Sequence, residues 1–277
     1  MLVLSSNTKI NIGLKVINKR SDGLHDIVTI FQEIDFGDKI QFKKVKIGCN
    51  IKSNVNWIPL DDSNLCYKAH DVLSKKLNRD LGVEIYIEKK VPVGSGIGGG
   101  SANAAATLLG INSLYNLGLD NKQLEIIGSH IGADVPFFIR GGAQVGEETG
   151  YKLTPISEKL DAAILLVLPS VSISTKWAYD QIKYKLNSQN SIPNFAHLMR
   201  NDFLSFKFFE NDFEKIVIPA YPEIGSIKHR LLESGANFAS LSGSGSTVFG
   251  IFDNNACANK AKSYFLNSHL TILTRPI

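Results

Sequence analysis

Residues 91–103 read VPVGSGIGGGSAN and hold the densest chemistry in this 277-residue chain. Five of the seven residues from Gly94 to Gly100 are glycine. A strand is expected to run into the segment and a helix to leave it. Glycine admits positive φ and lets a ligand approach the backbone. The first turn of the helix offers N–H groups without partners, at the positive end of the helix dipole. Together these make a cradle for phosphate, to which Ser101 and Asn103 can add side-chain donors. Gly94, Gly96 and Gly99 satisfy GxGxxG, but a dinucleotide fold also wants an acidic residue ending a strand about 20 residues on. Asp120 has roughly that spacing, yet it follows a helix and is expected to cap the next one. A P-loop counted from Gly94 wants lysine at position 100, where glycine stands. A protein-kinase glycine loop lies between two strands, not ahead of a helix. The plain alternative is a glycine-rich turn that binds nothing.

The surrounding elements follow from periodicity. Val83, Ile85 and Ile87 alternate with Glu84, Tyr86 and Glu88, the pattern of a half-buried strand. Helices are expected over 64–76, 101–115 and 121–131. In the second half, a strand over 162–168 precedes helices over 176–186 and 224–233, the latter ended by Gly235. Strands over 238–241 and 247–252 flank the turn Ser242-Gly243-Ser244-Gly245-Ser246, and a last helix covers 255–266. The polar stretch 183–194 reads as a surface loop or helix end. Without regular βαβ alternation the fold class is α+β, not a doubly wound sheet. A boundary near 155 divides a nucleotide-binding domain, 1–155, from a C-terminal domain, 156–277.

With 44% hydrophobic and 20% charged residues the chain is not disordered. Its longest apolar runs are far short of the ~20 residues a membrane helix needs, so no membrane partner is expected. The start, MLVLSSNTKIN, lacks the pattern of a secretory signal, and a cytoplasmic location is expected. Cys49, Cys66 and Cys257 stand far apart with no CxxC, which indicates free thiols in a reducing compartment rather than zinc or disulfides. The net charge of +4 is spread along the chain and suits an anionic small molecule. A nucleic-acid partner would need a dense basic face or an aromatic-basic motif, and neither is present. A nicotinamide-dependent oxidoreductase is the competing reading of GxGxxG. The sequence leaves the oligomeric state open.

The loop PVGSGIGGGSANAAA resembles the second signature of the superfamily named for galactokinase, homoserine kinase, mevalonate kinase and phosphomevalonate kinase (GHMP kinases). The first signature fits Lys9-Ile10-Asn11-Ile12-Gly13-Leu14, and the third fits Leu241 to Phe249, LSGSGSTVF. Two more segments, Lys9 to Asp38 and Gly132 to Gly150, are similar to the branch that phosphorylates 4-diphosphocytidyl-2-C-methyl-D-erythritol. The resemblance implies a two-domain α+β fold with the active site in the interdomain cleft. It also implies ATP-dependent transfer to the 2-hydroxyl of the methylerythritol unit, in the non-mevalonate route to isoprenoid precursors. Homoserine or mevalonate kinase is the alternative, against which the run KRSDGLH, Lys19 to His25, argues.

Phosphoryl transfer asks a protein mainly for positioning and charge stabilisation. A carboxylate can take the acceptor's proton as the bond to phosphorus forms. The resemblance gives that role to Asp134, which Pro136 is expected to keep outside a helix. It makes Lys9 the catalytic lysine, able to polarise the hydroxyl or offset negative charge. For the nucleotide it implies Lys89, just ahead of the loop, and Pro92, Val93, Gly94, Ser95, Gly96, Ile97, Gly98, Gly99, Gly100, Ser101, Ala102 and Asn103. For the acceptor it implies Asn11, His25 and Thr175, with His25 reading the cytosine edge. The family commonly has tyrosine before this histidine. Here Leu24 stands there and offers no aromatic face, leaving Tyr179 and Phe31 as candidates to stack on the base. Mg²⁺ is expected beside ATP, held largely by the nucleotide, by water and by Ser101, since no metal-ligand cluster is legible. The third-signature glycines are expected to let that turn pack under the glycine loop.

Overall fold

Alternation along Val83–Glu88 (β4) turns Val83, Ile85 and Ile87 inward, and the first of the two units that make up the chain is built around that row. The computed structural model describes residues 1–158, 160–182, 206 and 209–277. Unit one comprises Met1–Thr8, Phe36–Val93 and Gly98–Gly141; unit two comprises Lys9–Asp35, Gly94–Ile97 and Gly142–Ile277. Two long strands, β1 (Leu2–Lys19) and β2 (His25–Lys44), contribute residues to both and pair with each other.

In unit one the second half of β2 runs antiparallel to β4, from Lys39↔Glu88 to Lys44↔Val83. β3 (Cys49–Ser53) lies parallel to β4 on its other side. One face of this sheet is covered by α1 (Leu65–Leu77) and α2 (Gly99–Tyr115), joined by α3 (Asn121–Ser129) and α4 (Val135–Arg140). α2 is buried nearly all round, and it can sit close because Gly110 faces Phe42. A Cβ there would lie 2.6 Å from the Phe42 ring. The shared core includes Ile40, Phe42, Ile85, Ala105, Leu108 and Ile111. Asn64 caps α1 by accepting from the Cys66 amide. Asp120 caps α3 as expected, and Gln123 completes a capping box with it.

In unit two the first half of β2 pairs antiparallel with β5 (Ala143–Glu147), and β5 with β6 (Lys152–Pro155). A separate antiparallel sheet has the order β10-β7-β9-β8. It consists of β7 (Ala163–Leu168), β8 (Phe238–Leu241), β9 (Val248–Phe252) and β10 (Leu270–Thr274). Every residue of β7 is buried, which explains why it reads as a continuous apolar run rather than an alternation. The remaining described helices of this unit are α5 (Thr175–Gln181), α6 (Glu214–Ala220), α7 (Pro222–Glu233) and α8 (Asn255–Ser263). The fold is α+β.

Differences from the sequence reading sit at helix ends. α2 begins at Gly99, two residues before the expected start, because Gly98 takes a left-handed conformation and Gly99 and Gly100 already turn helically. α3 stops at Ser129 and α8 at Ser263, short of 131 and 266. α7 starts two residues early, where Pro222 stands at the helix N-terminus. α5 covers Thr175–Gln181 and ends where Ile182 turns extended; the remainder of the helix expected to 186, residues 183–186, lies outside the described residues, as does 183–194. Helices α4 and α6 and strand β10 were not foreseen. Among the described residues no helix is long and apolar enough to cross a membrane.

Candidate active site

The glycine segment threads both units, with 94–97 in unit two and 98–103 in unit one. Gly94, Gly96 and Gly98 all have positive φ. Val93 is 66% exposed, and Gly94 and Gly100 are also open to solvent, whereas Ser95, Ile97 and Gly99 are buried. Helix α2 has no side-chain cap and no acidic residue in its first turn. Its first amides therefore face the loop without a built-in anion, which suits an incoming phosphate.

Within unit one, residues on both sides of the loop converge on Asp38. This carboxylate is 1% exposed and accepts four hydrogen bonds. They come from Lys89 Nζ at 2.5 Å, Lys90 N at 2.7 Å, Val91 N at 2.9 Å and Asn103 Nδ2 at 2.9 Å. Asn103 in turn accepts from Ser6 Oγ at 2.6 Å. Lys89, expected to meet the nucleotide, is 7% exposed with its charge committed to this buried pair. Removing one partner of such a pair costs about 3–5 kcal/mol. Asn103 is likewise buried in the same network. The start of α2 also lies beside the segment carrying Asp134. A Cβ on Gly132 would stand 3.9 Å from Ser101 Oγ, and Asp134 follows two residues later as the N-cap of α4, with Pro136 at the helix start. Asp134 thus lies just outside a helix, as expected, though in a helical rather than extended conformation.

Within unit two, Lys9, Asn11 and Gly96 meet. Lys9 is 4% exposed; its Nζ donates to Asn11 Oδ1 at 2.6 Å and to Gly96 O at 3.3 Å, and lies 5.5 Å above the Phe31 ring. Asn11 donates onward to Thr29 Oγ1 at 2.9 Å. The third-signature turn packs against the glycine loop as expected. Ser242 Oγ donates to Gly96 O at 3.0 Å, and the Thr247 amide to Ser95 O at 3.1 Å. Asn211, buried on the other side of the turn, donates to Leu241 O and Gly243 O. Thr175 Oγ1 lies 2.9 Å from Ser244 Oγ, which ties α5 to the same turn.

One helical turn beyond Thr175, Tyr179 stacks on His25 with centroids 4.5 Å apart and planes at 22°. It also meets Phe213 edge-on. Leu24 is 55% exposed, and Phe31 is 1% exposed beneath Gly146. Of the two aromatic candidates, Phe31 is buried and Tyr179 is partly buried, with one ring face stacked on His25. Burial holds the His25 pKa below its ordinary value, and the Lys19 charge lowers it further, against a smaller opposing pull from Asp180. A histidine so placed is neutral at neutral pH and offers one donor and one acceptor to a base edge.

Asp38 and Asn211 were missed. Asp38 had a faint signal, an acid in the inward row that continues with Ile40 and Phe42. Asn211 had none. Among the described residues no group of three or more His, Cys, Asp or Glu side chains gathers as a metal site.

Residues 64–142 match the GHMP kinases N terminal domain, and residues 184–271 match the GHMP kinases C terminal family. A protein of Thermodesulfovibrio yellowstonii named 4-diphosphocytidyl-2-C-methyl-D-erythritol kinase is 39% identical over 96% of this chain and 94% of its own length. One of the same name from Acetivibrio thermocellus is 38% identical over 96% and 95%. A crystal structure of 4-(cytidine 5'-diphospho)-2C-methyl-D-erythritol kinase superposes with a TM-score of 0.82 at 26% identity, covering 99% of each chain. The homoserine kinase of Cytophaga hutchinsonii shares the fold at a TM-score of 0.75, with 18% identity over 99% of this chain and 94% of its own.

Proposed function

The chain belongs to the GHMP kinases, within them to the 4-diphosphocytidyl-2-C-methyl-D-erythritol kinases, and from that premise we propose how its residues divide the reaction. The activity is ATP-dependent phosphorylation of the 2-hydroxyl of 4-diphosphocytidyl-2-C-methyl-D-erythritol, a step toward isoprenoid precursors. The homoserine and mevalonate kinases are similar in fold alone.

The α2 amides and the loop around Gly96 and Gly98 receive the triphosphate, Asp134 accepts the acceptor proton, and Lys9 offsets charge on the transferring group. Asn11 aims the Lys9 ammonium through its 2.6 Å bond. Tyr179 presents its face to cytosine while His25 reads the base edge, and Thr175 lines the acceptor side. The observation that carries this reading is the open N-terminus of α2 beside the segment Gly132 to Asp134. It supports a phosphate cradle and a carboxylate acting side by side. Mg²⁺ would neutralise the phosphates. With no carboxylate cluster to cage it among the described residues, Ser101 is the chain's own donor to it, and the nucleotide and water supply the rest. The protein acts on a small molecule, in the cytoplasm, with no nucleic-acid or membrane partner.

The test is coupled ADP release with Mg²⁺ and three acceptors in parallel: the cytidyl substrate, homoserine and mevalonate. Turnover of the first alone is expected. Turnover of another acceptor, or of none by folded protein, overturns the reading. Asp134→Ala should lose most of its kcat while still binding ATP; an unchanged kcat would refute the base assignment.

A further inference from the structure

We propose that Asp38 is the positioning residue of the phosphate-binding loop. The inference rests on the reading of residues 94–103 as the nucleotide cradle and adds what holds that cradle in shape. A glycine-rich segment has many backbone conformations to lose, so something outside it must set its two ends. Asp38 reaches both. Its Oδ1 accepts the amides of Lys90 and Val91, which lead into the loop. Its Oδ2 accepts from Lys89 Nζ and from Asn103 Nδ2, on the first turns of the helix that leaves it. One carboxylate thereby fastens the two ends of the loop to a core strand, between Phe36 and Ile40.

The local packing supports the same role. A Cβ on Gly99 would lie 2.7 Å from Val91 Cγ1 and 3.4 Å from Lys89 Nζ. Helix α2 therefore begins directly against the residues Asp38 holds. Ser6 braces Asn103 from the far side through its hydroxyl, and strand β1 joins the clamp. Asp38 is buried and acts through the two amides and two side chains that it holds, not by touching a ligand. Preorganised amides bind without rearranging, and a displacement of about 1 Å from a distant change can cost on the order of a hundredfold.

Two variants test this, Asp38→Asn and Asp38→Glu. The first keeps the shape but removes the charge; the second keeps the charge but lengthens the arm by one methylene. For each, MgADP affinity is measured by calorimetry below the melting temperature, with folding confirmed by circular dichroism, and KM is measured for ATP and for the acceptor. The expectation is a rise of about tenfold or more in the MgADP Kd and the ATP KM, the scale of a lost charged hydrogen bond. The acceptor KM should stay within about twofold, because none of the four hydrogen bonds Asp38 accepts comes from Asn11, His25 or Thr175. Unchanged nucleotide affinity in a folded variant overturns the proposal, and so does an equal rise in both KM values. If Asp38→Asn does not fold, Asp38→Glu decides alone by the same readings. Failure of the wild-type protein to bind MgADP would instead sink the functional reading itself.

Discussion

Replacing Gly96 by alanine tests the packing of the glycine loop on the third-signature turn. An ideal Cβ at Gly96 would stand 2.5 Å from Ser242 O, 2.6 Å from Gly245 O and 2.9 Å from Gly245 C. All three atoms are main chain, so none can swing away as a side chain would. Gly96 also has φ +78°, which costs a residue with a side chain about 1–2 kcal/mol. Forcing a carbon into a closed contact costs about 1–3 kcal/mol. Relieving it by opening the contact gives up the Ser242–Gly96 and Thr247–Ser95 hydrogen bonds, at about 1 kcal/mol each. Strain and lost bonds are alternatives rather than a sum, so about 3 kcal/mol is the expected destabilisation. Gly94→Ala is the matched comparison. Its φ is +70°, but its Cβ would meet only Ser172 Oγ at 3.3 Å, and about 1 kcal/mol is expected. Urea denaturation of wild type and both variants, followed by circular dichroism, measures the difference. Gly96→Ala should be the weaker by about 2 kcal/mol. Equal midpoints for the two variants would refute the reasoning.

Three other predictions follow from the same geometry. Tyr179→Ala should raise the KM for the cytidyl substrate about tenfold, the scale of one lost stacking contact, and leave the ATP KM unchanged, while Tyr179→Phe restores it; steady-state kinetics on both substrates decides. His70 is buried, with Nε2 bonded to Leu81 O at 3.2 Å and Nδ1 without a partner among the described residues, and burial holds its pKa below the ordinary 6.5. Its contribution to stability is then full above about pH 6.5 and is lost as pH falls through the lower folded value, so the urea midpoint of wild type should fall more steeply from pH 7 to pH 5 than that of His70→Gln. Of the three cysteines, Cys257 is exposed, while burial pushes the Cys66 and Cys49 thiols up to about 12; Ellman's reagent should titrate one thiol quickly in the native protein and three in denaturant.

What the amino-acid sequence determined by itself was local or covalent. Val83 to Glu88 had to be a half-buried strand because its side chains alternate, and Asp120, lying between two helical segments, was expected to cap the second. The glycine segment pointed to the phosphate cradle that we propose, because its glycines admit positive φ ahead of a helix N-terminus. The three signatures carried the family, since each is a short run whose members are neighbours in the chain. Tertiary structure alone decided which side chains meet across long separations. Asp38 lies 51 residues from Lys89 and 65 from Asn103, and no local pattern encodes such a pairing. It also decided that Phe31 is buried under Lys9 and Gly146 while Tyr179 is partly exposed and stacked on His25, a difference the sequence did not show. Helix boundaries moved for the same reason. Capping and backbone conformation at Gly98 or Pro222 depend on what the neighbouring segments supply, and that is settled only when the chain has folded.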